Sequence, residues 1–237
     1  MKASSPAHSS GRLRPDEVRE MFDRITPVYD VMNRLMTAGL DRTWRRLAAE
    51  AAVRPGDRVL DACCGTGDLA IADLAAGGRV TGIDFSARML ERARRKSSAV
   101  EWVQGDLLAL PFSGASFDAA TVGFGVRNLD DLEGGLRELR RVLRPGGRLA
   151  ILEITTPEGS LAPFFRVWFD RIVPVVGKAI PGGAAYAYLP ASVRRFPDAR
   201  ELAGICAETG FGEIRWRLLG GGIVALHTAT AEESAGS

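Results

Sequence analysis

The sequence predicts an α/β fold in which a seven-stranded, mostly parallel sheet carries helices on both faces and ends in an antiparallel hairpin. Three observations lead to this prediction. Apolar strand-like segments alternate with helical segments between residues 58 and 154, which is typical of parallel strands joined by helical crossovers. The glycine turn Cys64-Gly-Thr-Gly67 follows the first apolar segment directly. Near the carboxyl end, two further strand-like segments are separated only by Gly220-Gly-Gly222, so they must pair antiparallel.

The individual elements follow from periodicity and from the residues that begin or end them. Residues 15–52 carry apolar residues at spacings of three and four, with breaks at Thr26-Pro27 and Gly39, and are predicted to be helical. Ser86 and the Asp198/Glu201 pair stand in positions typical of helix N-caps. We predict strands over 58–62, 79–85, 100–104, 117–124, 148–154, 213–219 and 223–230, and helices over 68–76, 86–96, 131–143 and 198–208.

The chain is expected to form one domain over residues 13–230, with polar tails over 1–12 and 231–237. Within this domain we distinguish a helical cap (13–54), a cofactor-binding core (55–155), an insertion (156–197) and a carboxyl-terminal helix with the hairpin (198–230). The insertion is rich in aromatic residues, prolines and glycines, and over the ligand edge of a sheet it is most simply a lid. Its Phe165, Trp168 and Phe169 either enclose an apolar ligand or form the lid's own core.

Composition excludes several classes of protein. The 237 residues have a net charge of +2 with acids and bases interspersed, so no electrostatic argument favours nucleic acid. Three cysteines without a CxxC pair and two isolated histidines argue against a disulfide framework and a metal site, and they suit a reducing cytoplasm. The first ten residues lack the apolar core of a signal peptide, and no long apolar run predicts a membrane span.

Two acidic residues beside the glycine turn carry the clearest functional signal. Asp61 ends the first strand just before Gly65, Thr66 and Gly67, and Asp84 ends the second strand about twenty residues later. In a doubly wound sheet this spacing places both carboxylates at the carboxyl ends of neighbouring strands, where nucleotides bind. A structural strand–helix turn is the alternative interpretation.

The residues after the turn narrow the kind of ligand. Ala70 stands where a dinucleotide site needs a third glycine, and Asp68 would repel a phosphate. An adenosine ligand with a cationic end and no phosphate fits better, and S-adenosylmethionine is such a molecule. We expect Asp84 to accept the ribose hydroxyls, Asp61 to face the cationic methionine end, and Thr66 to bind the ligand carboxylate or the backbone.

Two further strand ends supply candidate residues. Asp106 and Leu107 follow the third strand, where an acid and a backbone amide can pair with adenine; a turn with an exposed acid is the alternative. Gly123 ends the fourth strand and keeps a crevice open. Arg127 and Asn128 then bring a fixed cation and an amide to the floor of that crevice, unless Arg127 belongs to a surface ion pair.

Several separated blocks of the chain recur in one known family: Met21-Phe-Asp-Arg-Ile-Thr-Pro-Val-Tyr-Asp30, Leu60-Asp-Ala-Cys-Cys-Gly-Thr-Gly-Asp68, Phe124-Gly-Val-Arg-Asn128, Tyr186-Ala-Tyr-Leu189 and Gly221-Gly-Ile-Val-Ala-Leu-His227. They resemble the ubiquinone/menaquinone biosynthesis C-methyltransferases, which are class I S-adenosylmethionine-dependent methyltransferases with a Rossmann-like fold. The likeness extends from Val18 to His227. It implies cofactor contacts at Thr66, Asp84, Asp106 and Leu107, whereas Gly123 replaces a serine that family members often carry.

The resemblance also implies the chemistry, which is methylation of a ring carbon on the quinol form of a polyprenylated naphthoquinone. Ionising one phenol activates the adjacent carbon, so the enzyme must take a proton and stabilise an oxyanion. We expect Arg127 to stabilise the oxyanion, with Asn128 or Tyr188 assisting. Asp23, Tyr186 and His227 are candidates for handling the proton, although a structural role for His227 is the alternative.

The expected partner is a lipid-soluble quinol, with no nucleic acid. A polyprenyl tail belongs in a membrane, so a cytoplasmic protein with peripheral contact to the inner membrane face, made by the aromatic insertion, is expected. Whether the chain forms a homodimer is left open. Alternatives are a benzoquinol of the ubiquinone pathway, another small phenol, or a non-catalytic scaffold of methyltransferase shape; Ala70 and the terminal hairpin disfavour a nicotinamide-linked oxidoreductase.

Overall fold

The computed structural model describes residues 15–27, 29–156, 190 and 192–233. This part of the chain begins with three helices, α1 (Pro15–Ile25), α2 (Tyr29–Met36) and α3 (Leu40–Ala52). The alternating region contains β1 (Arg58–Ala62), α4 (Asp68–Ala75), β2 (Arg79–Asp84), α5 (Ala87–Lys96), β3 (Glu101–Gln104), β4 (Phe117–Gly123), α6 (Leu132–Val142) and β5 (Leu143–Ile154). It is followed by α7 (Ala199–Glu208), β6 (Phe211–Leu219) and β7 (Val224–Ala231).

The strands form one seven-stranded sheet in the order β3-β2-β1-β4-β5-β7-β6. Strands β1 to β5 pair in parallel, whereas β7 runs antiparallel to both β5 and β6. The predicted mostly parallel sheet with an antiparallel hairpin is therefore confirmed. Because the chain moves outward from β1 to β3 and returns to β4 on the other side of β1, the sheet has a switch point between β1 and β4, where ligand crevices open.

Local signals in the sequence account for where the elements lie. Val59 and Leu60 of β1 are fully buried, as expected for a parallel strand covered on both faces. The predicted cap of α5 is confirmed, since the Ser86 hydroxyl accepts a hydrogen bond from the Met89 amide at 3.1 Å. The capping box of α7 is also present, with Asp198 and Glu201 each binding the other's backbone amide.

Strand β5 begins earlier than the sequence suggests. It was expected to start at Arg148, after a helix stop and turn at Pro145-Gly-Gly147, but the strand begins at Leu143. Leu143 pairs with Phe117 of β4, and the register then shifts before Ala119 pairs with Arg148. The turn is therefore a bulge-like irregularity within one strand, because tertiary pairing continues on both sides of it.

The amino-terminal helices cover the sheet at two places. Helix α3 packs on β4, β5 and α4 through buried Trp44, Ala48 and Ala52. Helix α1 contacts α5 at the carboxyl edge of the sheet. None of the described helices is both long and apolar enough to cross a bilayer. Most of the predicted lid (156–197), with Phe164, Phe165, Trp168, Phe169 and Tyr188, lies outside the described residues.

Candidate active site

A cleft of about 920 Å³, partly open to solvent, lies at the carboxyl edge of the sheet. Loops that follow β1, β2, β3 and β4 form its floor and sides, and α1 and α2 form its roof. The lining is mainly apolar, with acidic residues on one side. Its residues include Val18, Arg19, Phe22, Tyr29, Cys63, Gly65, Ile83, Asp84, Phe85, Met89, Gly105, Asp106, Leu107, Leu108, Gly123, Phe124, Gly125, Asn128, Leu129 and Asp130.

Asp84 holds the loop after β1 and borders the cleft at the same time. Its Oδ2 accepts a hydrogen bond from the Gly65 amide at 2.8 Å, and its Oδ1 accepts one from the Ser86 amide at 2.9 Å. Burial raises the pKa of the Asp84 carboxyl to about 6, although both backbone hydrogen bonds oppose this shift. Each carboxylate oxygen can accept a further hydrogen bond, so the group suits a ligand with a diol.

The glycine turn needs left-handed backbone at several positions, with φ of 54° at Cys63, 53° at Gly65 and 85° at Gly67. Gly65 lines the cleft. Gly67 does not belong to the lining, and a Cβ there would lie 2.4 Å from the Trp102 ring, so this glycine is required by packing.

Thr66 faces the cap and does not belong to the cleft lining. Its hydroxyl donates to Asp30 Oδ1 at 2.5 Å and accepts from Lys96 Nζ at 2.9 Å. Asp30 also accepts from Arg92 Nε at 2.9 Å, and Lys96 pairs with Asp68 at 2.6 Å. This network joins α2, the turn and α5, so Thr66 fixes the turn to the cap.

Asp61 is fully buried beneath the glycine turn, and neither of its carboxyl oxygens has a hydrogen-bond partner within the described structure. Burial raises its pKa well above the ordinary value, and the nearby Asp73 carboxyl raises it further. A buried carboxyl without a hydrogen-bond donor is unfavourable, which suits a ligand that brings a cation. Asp61 does not line the cleft, however, and the Ala70 amide and the Arg45 charge already lower its pKa in part.

The two residues predicted after β3 to contact adenine lie at the cleft. Asp106 and Leu107 both line it, and Asp106 Oδ1 accepts a hydrogen bond from the Leu108 amide at 2.9 Å. Phe85 and the buried Met89 also line the cleft. This side therefore offers apolar surfaces and a carboxylate together, as a purine requires.

In the loop after β4, Gly123 and Asn128 lie where they were expected, but Arg127 does not. Gly123 and Asn128 line the cleft, and Asn128 Oδ1 is buried without a partner among the described residues. Arg127 does not line it. Its Nη1 donates to Glu153 Oε1 at 2.8 Å and to the Phe124 carbonyl, and its side chain is 9% exposed. The guanidinium charge is therefore neutralised in a buried ion pair, so direct oxyanion stabilisation by Arg127 lacks geometric support.

His227 lies away from the cleft, in the middle of β7 opposite Ile151. It is 2% exposed, its Nε2 donates to the Ala199 carbonyl at 2.7 Å, and its ring stacks on Trp216. Burial lowers the pKa of its imidazole. These contacts fasten the start of α7 to the sheet and favour the structural alternative over proton transfer.

Comparison with known proteins shows the class of the chain. Residues 10–231 match the model of the ubiE/COQ5 methyltransferase family. The chain belongs to this family. It is 45% identical over 216 residues to a demethylmenaquinone methyltransferase of Thermus thermophilus, covering 87% of this chain and 98% of that one. It is 40% identical over 225 residues to a 2-phytyl-1,4-naphtoquinone methyltransferase of Synechococcus elongatus, covering 90% of this chain and 97% of the relative.

Solved structures support the same fold for this ubiE/COQ5 family member. The cyclase SpnF superposes with a TM-score of 0.70 at 20% identity, covering 94% of this chain and 98% of that chain. A possible histamine N-methyltransferase of Thermotoga maritima superposes with a TM-score of 0.66 at 21% identity, covering 90% and 99%. The predictions of a class I methyltransferase fold and an S-adenosylmethionine-dependent methyltransferase are confirmed.

Sequence reasoning missed the cleft roof. Phe22 and Tyr29 line the cleft and meet edge to face at 6.2 Å, while Arg19 lies over the Phe85 ring at 5.7 Å. Asp23, a candidate for proton transfer, instead accepts a hydrogen bond from the Ser86 hydroxyl at 2.5 Å. The sequence did point to these residues, because Phe22 and Tyr29 belong to the block Met21–Asp30, which resembles the family.

Proposed function

We propose that this protein transfers a methyl group from S-adenosylmethionine to a ring carbon of demethylmenaquinol, producing menaquinol. The observation that carries the proposal is one cleft with acidic residues at the strand ends and an apolar roof and wall. The printed names of the Thermus and Synechococcus relatives support a naphthoquinol as the acceptor. We also propose a cytoplasmic location with peripheral membrane contact, since a polyprenylated acceptor resides in the bilayer.

The described residues fit the cofactor by their donor and acceptor types. Asp84 would hold the ribose hydroxyls, Asp61 the ammonium group, and Asp106 with Leu107 the adenine. Gly65 and Gly123 would allow the backbone to approach closely, and Thr66 and Gly67 would act indirectly by shaping the turn. When bound, S-adenosylmethionine supplies a sulfonium methyl group that a nucleophilic carbon can attack.

The protein's own task is to orient the quinol and to stabilise its ionised oxygen. We assign the hydrogen bond to this oxygen to the side-chain NH₂ group of Asn128, since Asn128 lines the cleft. Tyr188 remains a proposed second donor. Arg127 is proposed as a positioning residue, since its Nη1 holds the Phe124 carbonyl and Glu153. His227 is proposed to stabilise the hairpin, and we assign no residue as the general base.

The test is a transfer assay with S-adenosylmethionine labelled in the methyl group. Demethylmenaquinol, a demethylated benzoquinol and oxidised demethylmenaquinone are offered in parallel. Labelled menaquinol, absent with the oxidised acceptor, is the expected result. Methylation of the benzoquinol alone would indicate that the protein acts in the ubiquinone pathway. Cofactor binding without transfer to any acceptor would support the scaffold alternative.

The Asn128→Ala variant tests the assigned role in the same assay. It should lower kcat by about 10²-fold while leaving the affinity for S-adenosylhomocysteine near that of the wild type, by analogy with the loss of one oxyanion donor. Asn128→Asp is the matched variant, since it keeps the shape but repels an anion. Wild-type turnover in both variants would discard the assignment.

A further inference from the structure

Helices α1 and α2, which form the roof of the cleft, share a pattern in which an aromatic residue of the cleft lining is followed directly by an aspartate. In α1 the pair is Phe22-Asp23, and in α2 it is Tyr29-Asp30. Both aromatic residues line the cleft, whereas neither aspartate does. The two aspartates instead bind the body of the protein, so each helix contributes an inner aromatic residue and an outer acid.

Asp30 makes the larger set of these contacts. Its Oδ1 accepts a hydrogen bond from the Thr66 hydroxyl at 2.5 Å, and its Oδ2 binds Arg92 Nε and Lys96 Nζ, both at 2.9 Å. Arg92 and Lys96 are four residues apart on α5 and so share a face. Arg92 also donates to the Pro27 carbonyl at 3.3 Å. Only 12% of the Asp30 side chain is exposed, because donors from the glycine turn and from α5 surround it.

The partners of these two aspartates lie beside the proposed cofactor residues. Thr66 follows Gly65 in the glycine turn. Ser86, whose hydroxyl donates to Asp23 Oδ1 at 2.5 Å, lies two residues after Asp84. The roof is therefore fastened to the two loops that would hold the ribose of the cofactor.

Aromatic contacts bring the roof down at the same place. Phe22 meets Phe85 edge to face at 6.2 Å, and the Arg19 guanidinium lies 5.7 Å from the centre of the Phe85 ring. Phe85 directly follows Asp84, which is only 5% exposed. A cofactor that is bound at Asp84 consequently lies beneath α1 and α2.

The connection between the roof and the rest of the fold is suited to act as a hinge. Helix α3 is fixed in the core, where Ala48 is fully buried and Ala52 is 1% exposed. Between α2 and α3, Ala38 and Gly39 have left-handed backbone, with φ of 50° and 80°. Short segments at the ends of helices are where changes in dihedral angle are absorbed when part of a protein moves. We therefore place the hinge at residues 37–39.

We propose that α1 and α2, here called the gate, open to admit and release the cofactor, and that Asp30 is the latch that holds the gate closed. Closing returns Phe22 and Tyr29 to the cleft, so Asp30 is a positioning residue that does not touch the reacting atoms. The inference rests on cofactor binding at Asp84, and it does not depend on which quinol is methylated.

The latch consists of contacts within the protein, so it stabilises the closed gate by the same amount with and without cofactor. Weakening the latch should therefore speed cofactor association and dissociation alike and leave Kd nearly unchanged. Stopped-flow fluorescence with S-adenosylhomocysteine measures both rate constants. We expect Asp30→Asn and Arg92→Gln each to raise both about tenfold, because each variant loses a charge-assisted hydrogen bond between the gate and α5. Arg92 does not line the cleft, so its variant changes the latch alone.

Salt provides an independent test, because it screens ion pairs that are partly exposed. Raising the ionic strength from about 0.01 to about 1 M shortens the Debye length from about 30 to about 3 Å. This should accelerate both steps in the wild type and have little effect on Asp30→Asn. Asp118→Asn is the matched control, since Asp118 also pairs with two cations, Arg58 and Arg144, but far from the gate. It should exchange the cofactor like the wild type.

Three results would overturn the proposal. A higher Kd that arises from dissociation alone would make Asp30 a cofactor contact. Unchanged rate constants in both latch variants would show that the gate does not control exchange. A lower Tm with wild-type exchange kinetics would make the network a structural element only. Faster exchange in the latch variants without methylation of any quinol by the wild type would support the gate and overturn the proposed function alone.

Discussion

Asp84→Asn removes the charge at the centre of the proposed cofactor site with almost no change in shape. In the free protein the carboxylate accepts hydrogen bonds from the Gly65 and Ser86 amides, and an asparagine oxygen can keep one of them. The glycine turn should therefore remain folded. What the variant loses is an anionic acceptor for the ribose hydroxyls.

The size of the effect follows from these contacts. Hydrogen bonds to a charged group contribute about 1.5–3 kcal/mol each, and asparagine keeps one neutral acceptor, so a loss of about 3 kcal/mol is expected, roughly 150-fold in Kd. Burial also raises the pKa of Asp84 to about 6. Because the ionised form binds the diol, the affinity of the wild type for the cofactor should fall about tenfold for each pH unit below 6. In the variant, the decrease in affinity that is caused by protonation of Asp84 should be absent.

Calorimetry with S-adenosylhomocysteine between pH 5 and 8 measures both effects. The Asp84 charge raises the pKa of Asp61, so the variant also shifts the titration of Asp61 to lower pH. Asp118→Asn is the control, since Asp118 pairs with Arg58 and Arg144 at the opposite end of β4. A variant Kd within threefold of the wild type at pH 7.5, or an unchanged pH profile, would refute the role of Asp84.

The other predictions concern buried groups around the cleft. Burial raises the pKa of Asp73 to about 7, so its stabilising contribution is complete below about pH 4 and is lost progressively up to about pH 7; Asp73→Asn should flatten the fall in Tm over that range. Glu153→Gln leaves the Arg127 guanidinium buried without a counter-charge and should cost about 3–5 kcal/mol in urea unfolding, whereas Arg127→Met/Glu153→Leu should cost far less. His227→Phe should lower stability by about 1–2 kcal/mol through the lost bond to Ala199, with turnover and its pH profile unchanged; a changed profile would restore a catalytic role.

The local elements could be predicted because their determinants are close in sequence. Ser86 lies three residues from the amide it caps, and Asp198 and Glu201 cap one helix together. The antiparallel hairpin followed from the short Gly220–Gly222 connection. In each case the decisive contact spans only a few residues, so periodicity and capping chemistry determine it.

The contacts that decide the site span long stretches of chain. Thr66 binds Asp30, 36 residues earlier, and Arg127 binds Glu153, 26 residues later. A single sequence shows that a cation or a hydroxyl is present. It does not show which distant carboxylate pairs with the cation or binds the hydroxyl. The acidic pair Asp61 and Asp84 was predictable because the carboxyl ends of neighbouring parallel strands lie at the same edge of the sheet.

The contact between Cys63 and Gly125 has a consequence for sequence variation at the switch point. A methyl group added to residue 125 would lie 2.5 Å from Cys63 Cβ, so only one of these two positions can carry a side chain. Gly125→Ala alone should therefore disrupt the crossing between the first and fourth strand ends, and Cys63→Gly should restore it. The two positions are expected to vary together, and enlarging the crevice by redesign has to begin with this pair.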